Sequence, residues 1–327
     1  MLLSDYITQV QFLVHDQTNA DFSQSELTNA INNARTAVAL DFHCVRALYI
    51  APPTNAPFST VYSPVSVIQN TEAYPLLGAN GNNGQVVGAN VTAGGSGYTA
   101  ATTVTFAAGP TGSVRATGVP VITSGVITAI NMTAWGQGYV PALPSAVVPP
   151  GPPAGPPAVT IADTGGGTGA TATAIMFNNV FNVISISYIW GNQRYMLKFR
   201  GFTLFQAYMR SLLTFNQRAL IWTIHEQSGV VLIQPPPDQA YVSEWDVLAL
   251  PLPLVNPGEN DTQVIPPWSD AVQYYAAMLC LSKLQNFDQA DHYFKIYSSR
   301  VPKIIIGAGG TRIPNPYHRT FQRRVSR

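Results

Sequence analysis

The chain has 327 residues, 46% of them apolar and only 10% charged, with a net charge of +1. That length allows two or three domains and the apolar share allows a core, but the charge is far below the ~25% usual in soluble globular proteins. Such a chain has little self-repulsion to keep it dispersed, which points to a surface hidden in an assembly.

The first predicted elements are helical. Leu3, Ile7, Val10 and Val14 fall at helical spacing behind Ser4-Asp5. Ser23 and Glu26 make an S-x-x-E capping box, with Phe22 and Leu27 placed as a hydrophobic staple. Leu27, Ala30, Ile31, Ala34 and Val38 then line one face, so the two helices form a hairpin with its loop near residues 19–21. A short strand is expected over 45–50, stopped by Pro52-Pro53, with further short strands at 59–62 and 65–68.

After Tyr74 the composition changes. Between Ala73 and Gln193 only Arg115 and Asp163 are charged, and Gly, Ala, Thr, Val and Pro dominate. This stretch repeats itself: Gly97-Tyr98 recurs as Gly138-Tyr139, Val104-Thr105-Phe106 as Val159-Thr160-Ile161, Ala116-Thr117 as Ala172-Thr173, and Ile127…Ile130 as Val183…Ile186. Alternating Thr and Val between glycines predicts short β-strands and tight turns, and Pro149–Pro157 predicts a polyproline connector.

A mixed body follows. Strands are expected over 184–189 and 195–199, paired across Gly191-Asn192, then a helix over 202–213. Further strands are expected at 219–225, 230–234 (ended by Pro235-Pro236-Pro237) and 245–250. Two more helices are expected, from Ser269 to Leu284 and from Asp288 to a stop before Pro302. The last 25 residues lack periodicity and predict an extended tail. From Lys303 to Arg327 there are six bases and no acid, whereas the first 41 residues carry five acids and one base.

Catalytic patterns fail on inspection. Gly165–Ala170 spells G-x-G-x-x-A, but β-like sequence flanks it on both sides and no acid occurs between Asp163 and Glu226, so it reads as a turn. His225-Glu226 is followed by Gly229 where a metalloprotease needs a second His, and no G-x-S-x-G surrounds Ser96. Two distant cysteines, Cys44 and Cys280, make neither a disulfide framework nor a metal site. Asp163 alone cannot supply the paired carboxylates of a glycosidase; Tyr98, Trp135 and Tyr139 are expected to fill a small β core, with stacking on sugar rings as the alternative. The expectation is therefore no enzyme, no cofactor and no metal. The N-terminus has no basic region leading into an apolar stretch, and no apolar run approaches the ~18 residues of a membrane span, so a cytoplasmic product is expected.

Three blocks carry a family resemblance. They are Leu3-Ser4-Asp5-Tyr6-Ile7 with Phe22–Arg35, then Ile233-Gln234-Pro235-Pro236-Pro237-Asp238-Gln239-Ala240-Tyr241, then Trp268–Ala277 with Asp288-Gln289-Ala290-Asp291 and Phe294…Tyr297. In this order they resemble the head-to-tail adaptor (connector) proteins of tailed bacteriophages, over roughly residues 1–75 and 183–303. The resemblance implies an α+β chain, a four-helix adaptor body with a small β element, here carrying an inserted all-β domain. It also implies a twelve-copy ring beneath the portal protein, around the genome exit channel, with tail or nozzle proteins and tail fibres below. The expected divisions are 1–78 and 183–303 for the body, 79–182 for the β insert and 304–327 for the basic tail. The expected localisation is the virion, assembled in the host cytoplasm, without membrane contact and with genomic DNA close by in the channel. In the tail, Ile304, Ile305 and Ile306 suit an apolar groove on the portal, and Arg319, Arg323, Arg324 and Arg327 suit carboxylates beside it. The competing expectation is a glycan- or receptor-binding tail protein that uses the β insert.

Overall fold

The computed structural model describes residues 1–51, 64–76, 84–140, 155–191, 193–212, 216–225 and 229–309, with backbone alone at 208–212 and 301–309. The chain begins α1 (Leu3–Val14), α2 (Gln24–Phe42), β1 (Arg46–Tyr49), β2 (Val65–Val67) and β3 (Ala73–Pro75). The Gly-rich stretch forms β4 (Gly84–Ser96), β5 (Thr103–Phe106), β6 (Thr117–Thr123), β7 (Val126–Ala134), β8 (Gly136–Tyr139), β9 (Val159–Ala162) and β10 (Thr168–Phe177). Then come β11 (Val180–Trp190), β12 (Gln193–Met196), β13 (Lys198–Phe199) and α3 (Phe202–Leu212). The last elements are β14 (Ile221–His225), β15 (Val230–Gln234), β16 (Tyr241–Ala249), α4 (Ser269–Lys283) and α5 (Phe287–Gly309).

The expected class is corrected. Among the described residues the chain is mostly β, with four sheets against five helices, and it is not a four-helix adaptor body with a small β element. The strands outside the Gly-rich stretch are extensive: β1, β16, β11, β12 and β2 form one five-stranded sheet, and β13, β14, β15 and β3 a four-stranded one. The strands expected at 59–62 and the connector at 149–154 lie outside the described residues.

Contacts divide the chain into two units, residues 1–45 with 253–327 and residues 46–252. The boundaries drawn from sequence at 78/79 and 182/183 both fall inside the second unit, and the one at 303/304 falls inside α5.

The first unit takes α1, α2, α4 and α5. Ser23 caps α2 as its pattern predicts: the Glu26 N–H reaches Ser23 Oγ, and Glu26 Oε2 accepts the Ser23 N–H at 3.0 Å. Phe22 and Leu27 are both buried. The loop before the cap is organised by Asp16, whose carboxylate accepts the N–H groups of Ala20, Asp21 and Phe22 at 2.7–3.1 Å. Burial opposes the Asp16 charge, but these three donors outweigh it and hold the carboxyl below its ordinary range. At the centre Arg35 donates Nε and one Nη to the two oxygens of Asp261, both at 2.8 Å, and both side chains are fully buried. Asp261 also accepts the N–H groups of Gln263 and Val264, so its charge is matched by a fixed set of donors. The helix expected to stop before Pro302 instead runs through it to Gly309. Proline's φ is already helical, so only one N–H donor and some crowding of the preceding turn are at stake.

In the second unit one apolar cluster joins residues from Val65 to Val247, including Val86, Phe106, Trp135 and Phe177 of the Gly-rich stretch. A smaller cluster of Val91, Tyr98, Ile127 and Ile130 lies within that stretch. Tyr74, Phe177, Trp245 and Trp135 pack with ring centroids 4.9–6.2 Å apart, and Trp135 Nε1 donates to the Ser66 carbonyl at 3.0 Å. The repeat is built as an interlocked pair. Its central strands β5 and β9 run antiparallel, with Val104 opposite Ile161, Thr105 opposite Thr160 and Phe106 opposite Val159, so equivalent residues exchange places across a local two-fold. On one side β4 of the first copy pairs with β10 of the second; on the other, β7 of the second pairs with β6 of the first. The registers match in detail: Thr171 lies opposite Ala93 and Ala172 opposite Val91, as Thr117 lies opposite Ala134 and Gly118 opposite Met132, with a bulge at the same point in each. Gly97 and Gly138 have φ of +76° and +78°, which glycine adopts without cost. The buried tyrosines that follow them make equivalent hydrogen bonds, since Tyr98 Oη accepts the Ala170 N–H and Tyr139 Oη accepts the Ala116 N–H. Ala116 thus corresponds to Ala170, two residues before the match read from sequence.

Candidate docking surfaces

Of the residues singled out for portal docking, Ile304, Ile305 and Ile306 lie on the last turns of α5, and Arg319, Arg323, Arg324 and Arg327 lie outside the described residues. The three rings that could have stacked on a sugar are interior: Trp135 and Tyr98 are 6% exposed and Tyr139 2%. Asp163, the one acid of the repeat, is a turn staple. Its carboxylate accepts the Gly167 N–H at 2.9 Å and the Thr99 hydroxyl at 2.8 Å, and these donors hold it below the usual carboxylate range. The Gly165–Gly167 turn joins β9 to β10, strand to strand. Cys44 and Cys280 are free thiols, and burial pushes each up to about 11. Among the described residues no cluster of His, Cys, Asp and Glu could hold a metal, and no helix is long and apolar enough to cross a membrane.

What the surface offers is apolar and, in one place, cationic. On the first unit Phe12 of α1 is 65% exposed and Phe287 of α5 66%, with Leu40 and Phe294 also exposed. Phe287 and Phe294 are two turns apart and share a side of α5. On the second unit, Arg194, Met196, Lys198 and Arg200 are exposed at alternate positions while Leu197 between them is buried. Phe199, also exposed, borders a groove of about 520 Å³ lined by Phe181, Val183, Ile184, Trp222 and Ile224. Nearby, the Arg218 guanidinium lies 4.8 Å from the Trp190 ring centre and 4.3 Å from that of Tyr195. Sequence reasoning missed this cationic row. Its signal was the run without an acid from Asp163 to Glu226, which holds Arg194, Lys198, Arg200, Arg210 and Arg218.

Comparison with protein-family models returned no match, and none of the curated proteins is similar to the chain.

Proposed function

We propose that this chain is a structural virion protein, a head-to-tail adaptor that assembles as a ring, of twelve copies by resemblance, beneath the portal of a tailed bacteriophage. The observation that carries the reading is the pairing of very low charge with large apolar side chains left in the open on the helical unit, Phe12, Leu40, Phe287 and Phe294. Surfaces of this kind are covered in the working state of a protein. The adaptor resemblance says by what: neighbouring copies, the portal above, and tail or nozzle proteins and tail fibres below. Its first and third blocks supply α1–α2 and α4–α5, which belong to the same unit. The proposal rests on motif order and surface chemistry and not on the fold class.

The test mixes the purified chain with portal-bearing heads and examines the heads by negative-stain microscopy. A ring is expected at the portal vertex, and removal of residues 310–327, with α5 left whole, is expected to prevent its attachment. A chain that stays monomeric and leaves the heads bare would refute the adaptor role. Attachment by the shortened chain would move the portal contact from the basic tail to the helical unit.

A further inference from the structure

We infer that the exposed segment Arg194–Arg200, with Arg218 beside it, is a sequence-independent contact for the phosphate backbone of duplex DNA. The adaptor reading supplies only the source of that DNA; the binding chemistry stands without it. Three observations carry the inference.

The first is charge without compensation. Arg194 is paired with Glu244 at 2.9 Å, and Asp246 is held by Arg46. Asp238 accepts the Tyr241 hydroxyl. Lys198 and Arg200 have no carboxylate partner among the described residues. In a chain with so few charges, exposed cations with no ion pair among the described residues suit a counter-charge from outside.

The second is spacing. Alternate residues of an extended segment stand about 6.6 Å apart on one side, so Lys198 and Arg200 form a regular row of the kind that a regular line of phosphates can match.

The third is rigidity. The Leu197 N–H donates to the Ile186 carbonyl at 2.9 Å, and the Lys198 and Arg200 N–H groups donate to Leu220 and Trp222 at 3.0 Å. The row is therefore fixed to two sheets. Arg218 is likewise held between two rings, keeping its charge while giving up its freedom. The held Arg218 guanidinium loses little entropy on meeting phosphate, whereas Lys198 and Arg200 are fixed at the backbone and still order their side chains on contact. Three such contacts make weak binding that salt reverses readily, as suits a surface past which DNA must move.

The experiment is fluorescence anisotropy of a labelled 30-base-pair duplex of mixed sequence, titrated with the full-length chain between about 50 and 200 mM salt. The basic C-terminus is controlled by a variant with Arg319, Arg323, Arg324 and Arg327 changed to Ala. In that background log K is expected to fall with log salt at a slope near −3, about 0.9 per phosphate contacted. Adding Lys198→Ala and Arg200→Ala should lower the slope by about two and weaken binding at least tenfold at the lowest salt. Arg115→Ala, which removes another exposed cation, should change neither. Lys198→Gln with Arg200→Gln, checked by circular dichroism, repeats the measurement should the alanine pair disturb folding. Unchanged binding in the Lys198/Arg200 variants, or complete loss in the tail variant alone, would overturn the assignment. So would poly-L-glutamate competing as well as DNA at equal charge, because the surface would then suit an acidic polypeptide. None of these failures bears on portal attachment, which is measured separately.

Discussion

Trp135 tests whether the Gly-rich stretch is part of the second unit or an appendage to it. The perturbation is Trp135→Ala. The indole is 6% exposed and touches rings from three other strands, with centroids 4.9 Å from Tyr74 and 5.7 Å from both Phe177 and Trp245. Emptying a buried site of this size costs about 3–5 kcal/mol. The Ser66 carbonyl also loses its donor, which adds roughly 1–3 kcal/mol if water does not reach it. The sum, about 4–8 kcal/mol, is comparable with the whole stability of many domains. Trp135→Phe keeps most of the ring packing and loses the N–H, so it should cost a smaller part of that amount. The assay is urea unfolding combined with hydrogen exchange read peptide by peptide. Trp135→Ala is expected to strip protection from 65–67, 180–190 and 241–249 together with 84–139. Replacing residues 79–182 by a Gly/Ser linker should likewise leave 46–252 unable to fold cooperatively. A loss below about 1 kcal/mol, or a loss of protection confined to 84–139, would refute the shared core.

Three further outcomes follow from other contacts. Asp261→Asn should destabilise the first unit by about 3–5 kcal/mol in thermal unfolding, because it leaves the buried Arg35 guanidinium without its counter-charge; a change under 1 kcal/mol would contradict the pairing. Gly97→Ala and Gly138→Ala should each cost more than about 1 kcal/mol, since both force a side chain onto a positive φ, and Gly138→Ala should cost the more, because its Cβ would lie 3.2 Å from Ser113 Cα; a loss below about 1 kcal/mol at either site in denaturant titration would contradict these turns. Hydrogen bonds from Lys283 and Ser23 pull Glu26 from 4.5 down to about 2, so its charged form is the stabilising one. That stabilisation is present above about pH 4.5 and is lost as the pH falls towards 2, and Glu26→Gln should flatten this acid limb of the first unit's unfolding curve, an effect weakened by salt.

What could be read from the sequence was local. The Ser23–Glu26 box and the hairpin turn after Trp190 depend on residues close in the chain, and both are found, although the partner strand expected over 195–199 ends at Met196 and Lys198–Phe199 joins β14 instead. The Gly-Tyr repeat was visible too, but its register slipped by two residues after the turn, because only the Tyr98–Ala170 and Tyr139–Ala116 bonds fix which alanines correspond. Partner choice was not legible. Nothing in β4 names β10 as its neighbour, so the stretch looked like a module with its own core. The same gap hid Trp135's neighbours: a core position was legible for its ring, but not that Tyr74, Phe177 and Trp245 close over it. The four-helix class came from the adaptor resemblance; strands of the body, part of β16 among them, were expected from the residues, but not that they join into two extensive sheets. Within the docking surfaces, the acid-free run holding Lys198 and Arg200 was countable from the start; what was missing was the alternation that puts them on one face.

The crossed strands of the repeat have a historical implication. A chain carrying one copy would have its first and third strands unmatched, and would complete its sheets only by trading them with a second molecule. Such an ancestor would be an obligate homodimer whose folding depends on concentration. Joining the two copies head to tail makes each exchange intramolecular, at an effective concentration set by the connecting segment. In this chain the dyad between Thr105 and Thr160 lies inside one polypeptide, where each exchange needs no second molecule.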